Sequence, residues 1–221
     1  MRHHHPPLAY FLKRLLPGLL LLGLLAACAR PFVRPELTHA PFAPAGSSAH
    51  VLDLDLGQAP IIFAQPHARK LQKRNLYLFA VRIGNASPDT LWLTPHELEL
   101  YSGGKPLPRV EARLVQQALR QPVALHALWL LAGPFVREDA GRKVLDYYPL
   151  GVAAAAWGIG NMVVAYNANR GVKQMIELSM PEQPLALPPQ SQRYVILAVS
   201  SPLSPQGVRL HYQPPGQGDT P

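Results

Sequence analysis

Hydrophobic positions along this 221-residue chain follow three patterns: one solid block, several alternating runs, and a stretch of helical spacing. The block is Leu15 to Leu25, almost all leucine, leading into Ala26-Ala27-Cys28. Alternation begins at Leu52, Leu54 and Leu56, which interleave with Asp53 and Asp55 and describe a strand with one wet face. It is strongest from Asn75 to Ile83, with Tyr77, Phe79, Val81 and Ile83 on one side and Leu76, Leu78, Ala80 and Arg82 on the other. Ile61-Ile62-Phe63, Leu91-Trp92-Leu93, Glu97 to Tyr101, Leu185 to Leu187, Arg193 to Ser200 and Val208 to Tyr212 continue the series. Turn formers separate these runs, most densely at Gly84-Asn85-Ala86-Ser87-Pro88-Asp89 and Gly103-Gly104. About eight short strands so spaced predict a mainly β fold, an immunoglobulin-like β-sandwich lacking the Cys…Trp…Cys core.

Helical spacing occupies residues 106–181, which read as a helical insertion into the β domain. The predicted helices are Arg109 to Gln121, with Val110, Leu114 and Gln117-Ala118 on one side, Val123 to Ala132, and Leu150 to about Leu178. In the last, Gly151, Ala154, Gly158, Asn161, Ala165 and Ala168 recur every three or four residues. They form a candidate helix-packing seam, since little side-chain volume would keep another backbone away. Val152, Ala156, Ile159, Val163 and Tyr166 make a bulkier stripe beside it, and no charge occurs from Leu150 to Tyr166. The expectation is a helix buried against the β domain. A re-entrant or interfacial membrane segment and an oligomerisation seam are the alternatives; a span of 17 residues containing Asn161 is short for crossing a bilayer.

Cys28, the single cysteine, changes the reading of the leucine block. A basic n-region (Arg2, Lys13, Arg14), an apolar core and small residues up to Cys28 match a bacterial lipobox, so residues 1–27 read as a lipoprotein signal peptide. Cys28 is then the lipidation site, bearing diacylglyceryl and palmitate-type chains as the first mature residue. The His3-His4-His5 cluster falls in the discarded segment and is not read as a metal site. Residues 28–48 carry Pro31, Pro35, Pro41 and Pro44 and end in Ala45-Gly46-Ser47-Ser48. They predict a Pro-rich tether, reaching up to about 60 Å from the bilayer in extended geometry. A β domain over 49–213 and a disordered tail over 214–221, rich in Pro and Gly, complete the expected organisation.

Three of the 21 basic residues and none of the 13 acidic ones precede Cys28, leaving 18 against 13, or +5. That balance is mild and scattered, with Arg69-Lys70 and Lys73-Arg74 its densest patch, and it argues against a nucleic-acid partner. Without a second cysteine there is no internal disulfide. Catalytic motifs are absent from the sequence. No serine sits in Gly-x-Ser-x-Gly, Gly158-Ile159-Gly160 lacks a third glycine, and His96-Glu97 is not followed by the second histidine of a zinc helix. His39, His50, His67, His96, His126 and His211 are isolated in sequence. A metal cluster needs His96, Glu97 and Glu99 to meet another histidine, and Asp53 with Asp55 lacks the glycine of a calcium loop. No cofactor is expected. The favoured class is a non-enzymatic binding or structural module; the alternative is a hydrolase or metal-dependent enzyme with a site assembled from distant residues.

The layout of lipobox, Pro-rich segment, the Asn75-Leu-Tyr-Leu-Phe-Ala-Val-Arg-Ile83 strand, Gly158-Ile159-Gly160-Asn161-Met162, Ala168-Asn169 and a Gln192-Arg193-Tyr194-Val195 strand resembles uncharacterised lipoproteins of Bacteroidota. The resemblance implies no activity and no functional residue. It does imply the outer membrane, consistent with Ala29 rather than aspartate after Cys28. Arg30-Pro31-Phe32 departs from the acidic pattern of surface-displayed members, which favours the periplasmic face. The expected partners are the membrane, through the lipid anchor, and another envelope protein or a second copy of this chain.

Overall fold

Leu76–Asn85, the strand with two apolar sides, forms the centre of the larger of two units. The structure, a computed structural model, describes residues 28–48, 52–132, 134–139, 142–147 and 149–213. The expected signal peptide (1–27) and tail (214–221) lie outside the described residues. The strands are β1 (Phe42–Ser48), β2 (Leu52–Gly57), β3 (Leu76–Asn85), β4 (Leu91–Leu93), β5 (Leu98–Ser102), β6 (Lys105–Pro106), β7 (Pro134–Asp139), β8 (Arg142–Tyr147), β9 (Leu185–Leu187), β10 (Gln192–Ser200) and β11 (Arg209–Tyr212). The helices are α1 (His67–Gln72), α2 (Ala112–Leu119), α3 (Val123–Ala127) and α4 (Pro149–Ser179). Short 3-10 turns add Leu37–His39, Pro95–Glu97 and Leu128–Ala132.

The larger unit comprises residues 32–120 and 167–213. Its main sheet has the order β1-β2-β3-β10, every neighbouring pair antiparallel. Alternation sends Phe79, Val81 and Ile83 of β3, with Leu52, Leu54 and Leu56 of β2 and Val195, Leu197 and Val199 of β10, into one apolar cluster. Leu93, Leu98, Leu100, Leu185, Leu187 and Leu210 close that cluster from the smaller sheets β4-β9 and β11-β5-β6. The opposite face of the main sheet, Leu78, Ala80, Ile196 and Ala198 among others, is covered by Leu71 of α1, Val115 and Leu119 of α2, and Val172 and Met175 of α4. Each fully buried side chain of this size contributes roughly 2 kcal/mol. The β-rich, antiparallel character is therefore present, but with eleven strands among the described residues and helices closing one face.

The Pro-rich tether is not what residues 28–48 form. Phe42–Ser48 is an edge strand, paired with β2 from Phe42–Gly57 to Ser48–Leu52. Proline is tolerated at an edge, and the register shifts between Pro44 and Gly46, a bulge where a missing N–H costs little. Phe32 lies edge-on to His67 at 5.4 Å and close enough to Gly171 that a Cβ there would sit 3.1 Å from its ring. Leu37 enters the helical cluster and Phe42 packs on it, so three apolar side chains bring the segment into the fold. The domain thus begins at residue 32, not 49. Ile61-Ile62-Phe63 is not a strand; Phe63 is buried while Ile62 projects to solvent. Helix α2 buries Ala112, Val115, Ala118 and Leu119; of the expected side Val110 and Ala118 are buried, whereas Leu114 and Gln117 are exposed.

The smaller unit comprises the described residues of 28–31 and 121–166. It corrects the expectation of an all-helical insertion over 106–181. Between α3 and α4 runs an antiparallel hairpin, β7 with β8, whose register closes at Asp139–Arg142. The register sets Glu138 opposite Lys143 and Asp139 opposite Arg142. Helix α4 contributes to this unit as far as Tyr166 and to the larger unit from Asn167 on.

Candidate functional site

Two buried carboxamides hold the chain immediately after Cys28. The Ala29 backbone N–H donates to Asn161 Oδ1 at 2.7 Å, and Asn161 Nδ2 donates to the Trp157 carbonyl at 2.9 Å. Gln121 brackets the next residue. Arg30 N–H donates to its Oε1 at 3.2 Å, and its Nε2 donates to the Arg30 carbonyl at 2.6 Å. These carboxamides bond main-chain groups of the segment, and their own burial is compensated in return. Cys28 itself is half-buried in the same unit.

The seam residues of α4 differ in their surroundings. A Cβ on Gly158 would lie 2.7 Å from Trp129 Cβ and 2.9 Å from the His126 carbonyl, so glycine is required by the approach of the 3-10 turn and α3. Asn161, Ala165 and Ala168 are buried, Ala154 is half-buried, and Gly151 belongs to the helix with its surroundings outside the described residues. The expectation that 150–166 is a buried helix needs correction, because only this face is covered. Val152, Ile159, Val163 and Tyr166, on the opposite face, and Trp157, on its flank, are 46–62% exposed. Within the unit α4 has short neighbours, and a helix contacted along one stripe leaves the rest of its circumference open. Leu125, Leu128 and Leu130 are exposed as well. Eight of the fourteen exposed large apolar side chains among the described residues thus belong to this small unit.

A second feature lies in the larger unit, a cleft of about 510 Å³ lined by His96, Arg109, Glu111, Met180 and Glu182. Arg109 follows Pro108 into the edge of β10, where the Val110 N–H donates to the Ala198 carbonyl at 2.8 Å. Its guanidinium donates to the Pro95 carbonyl. Burial pushes the Arg109 pKa down, and the charge of Glu182 opposes that shift. The cleft therefore holds one cation beside two carboxylates and His96. Sequence reasoning missed Arg109, Glu111 and Glu182, which share no motif, and Gln121, whose role depends on a partner 91 residues away.

The candidate metal residues meet only in part: His96 and Glu99 both line a second, smaller cleft, and Glu99 lies opposite His211 in the β5–β11 register. His96 lines the cleft, while Glu99 accepts a 2.9 Å hydrogen bond from the Tyr101 hydroxyl, which holds that tyrosine's pKa up. Glu97 engages Tyr212, whose pKa is raised first by burial and then by this carboxylate. Asp55 is taken by Arg82, with Nε 2.7 Å and Nη2 2.6 Å from Oδ2. No group of three metal-ligating side chains occurs among the described residues. His67 is buried against Phe32, and burial together with the nearby Lys70 lowers its pKa. No family model, curated protein or solved structure matches the chain.

Proposed function

We propose that this chain is a lipid-anchored envelope protein, acylated at Cys28, that works as a non-enzymatic binding or structural module at the membrane. The observation that carries the reading is that the lipobox leads straight into a docked segment. Ala29 and Arg30 are held by Asn161 and Gln121 within the unit that carries most of the exposed apolar side chains. An uncharged apolar surface suits contact with another surface better than proton transfer. The outer membrane, periplasmic face, is the location favoured by Ala29 and Arg30-Pro31-Phe32 and by the likeness to Bacteroidota lipoproteins. We read the strand layers around Phe79 as an immunoglobulin-like sandwich, on the strength of their antiparallel pairing and shared apolar cluster.

The test is metabolic labelling with radioactive palmitate. The unaltered chain takes up label and loses its leader, whereas Cys28→Ser remains an unlabelled precursor. Equal labelling of both removes the lipoprotein reading. One observation favours a second reading, an enzyme, because the cleft gathers His96, Arg109, Glu111 and Glu182. That reading predicts turnover of a reporter ester or phosphate that His96→Ala abolishes; activity unchanged in that variant sets it aside.

A further inference from the structure

We propose that the smaller unit is itself a membrane-contacting body, seated in the headgroup and upper acyl layer of the leaflet that takes the lipids of Cys28. The proposal rests on acylation at Cys28 and adds a second, independent contact. Its first support is the missing spacer. Adjacent Cα atoms lie about 3.8 Å apart, and Ala29 is fixed to Asn161 by a 2.7 Å hydrogen bond. Acyl chains on Cys28 therefore emerge against this unit, without a long leash between them.

The second support is what the unit shows to its surroundings. Residues 122–132 and 149–169 contain no Asp, Glu, Lys or Arg; the charges of the unit's described residues are confined to Arg30 and to the intervening hairpin, from Arg137 to Asp146. Val152, Ile159, Val163 and Tyr166 form one exposed stripe of α4, Trp157 lies on another side of the same helix, and Leu125 and Leu128 belong to the preceding helical segment. A protein partner covers one face. Lipid is a solvent and covers several, which suits this distribution. Trp157 and Tyr166 carry the amphipathic rings that favour the interfacial layer. No helix among the described residues is long and apolar enough to cross a membrane, so the helix lies in the surface, to the depth of ~5–10 Å usual for such helices.

Vesicle partition of the mature chain, residues 28–221 carrying Cys28→Ser, tests this contact without acylation. The expected result is flotation with zwitterionic vesicles of phosphatidylethanolamine and phosphatidylcholine, which give the introduced lysines no electrostatic compensation, with tryptophan emission quenched by brominated lipid. Trp157→Phe removes most of that quenching, and Ile159→Lys with Val163→Lys weakens partition at least about tenfold at unchanged melting temperature. If the double variant folds poorly, quenching in Trp157→Phe still decides the matter. Absence of partition, or partition indifferent to both changes, overturns the proposal. So does a lipid-free dimer that the two lysines dissociate, which would give the face to a second copy of the chain. Palmitate labelling of the unaltered chain reports separately on the anchor, so failure of one reading is not mistaken for failure of the other.

Discussion

Asn161 Oδ1 accepts the backbone N–H of Ala29 at 2.7 Å, joining residues 132 positions apart. Through this bond a helix residue inside an uncharged run fixes the chain just after Cys28. Asn161→Ala leaves a part-buried N–H unpaired and is expected to cost about 1–3 kcal/mol. Hydrogen exchange at Ala29 and Arg30 should accelerate in that variant while the β3 and β10 amides keep their protection. Unchanged exchange at Ala29 would mean that the bond does not hold the segment.

The two glycines of Gly158-Ile159-Gly160 are expected to behave oppositely. A methyl group on Gly158 meets Trp129 Cβ at 2.7 Å, and Gly158→Ala should lower stability by about 1–3 kcal/mol through overpacking. Gly160 has nothing within 4 Å, and Gly160→Ala should be neutral or stabilise by up to about 1 kcal/mol through helix propensity. Thermal melts of the pair check both signs at once.

Asn85 ties the turn after β3 to the entry of β10. Its Nδ2 donates to the Asp89 and Leu187 carbonyls at 2.8 and 2.9 Å, and its Oδ1 accepts the Ser87 N–H at 2.9 Å. Asn85→Ala strands these buried groups and should cost about 2–4 kcal/mol in denaturant unfolding. A loss below about 0.5 kcal/mol would show that water replaces the network.

Stability should fall on mild acidification because of His67. Its folded-state pKa lies below the ordinary 6.5, from burial first and Lys70 second. The unfolded chain then takes up the proton at higher pH than the folded one. His67 thus costs nothing above about pH 6.5, and stability declines as pH drops below it. His67→Gln, which bonds without titrating, should flatten this part of the stability profile; an unchanged slope would assign it to other groups.

Several elements were legible in the sequence because local pattern and tertiary role coincide. The alternation of Asn75 to Ile83 named the right residues for each face, since a strand buried on both sides leaves no other arrangement. The edge strand was hidden by Pro44, whose cost vanishes at a bulge. The β7–β8 hairpin was hidden by charges on both strands, which obscure an apolar alternation. In α4 the small residues marked the covered face, but nothing local reveals whether the stripe of Val152, Ile159 and Val163 also has a neighbour. The cleft was illegible for another reason, because His96, Arg109 and Glu182 are far apart in sequence and line it together only in the folded chain.

Mass spectrometry of the N-terminal peptide of the protein extracted from envelopes decides whether Cys28 is the acylated first residue. The expected peptide begins at Cys28 and carries the mass of a diacylglyceryl group, with no peptide from residues 1–27 in the membrane fraction. A chain beginning elsewhere, or Cys28 recovered as an unmodified thiol, would contradict the lipoprotein reading.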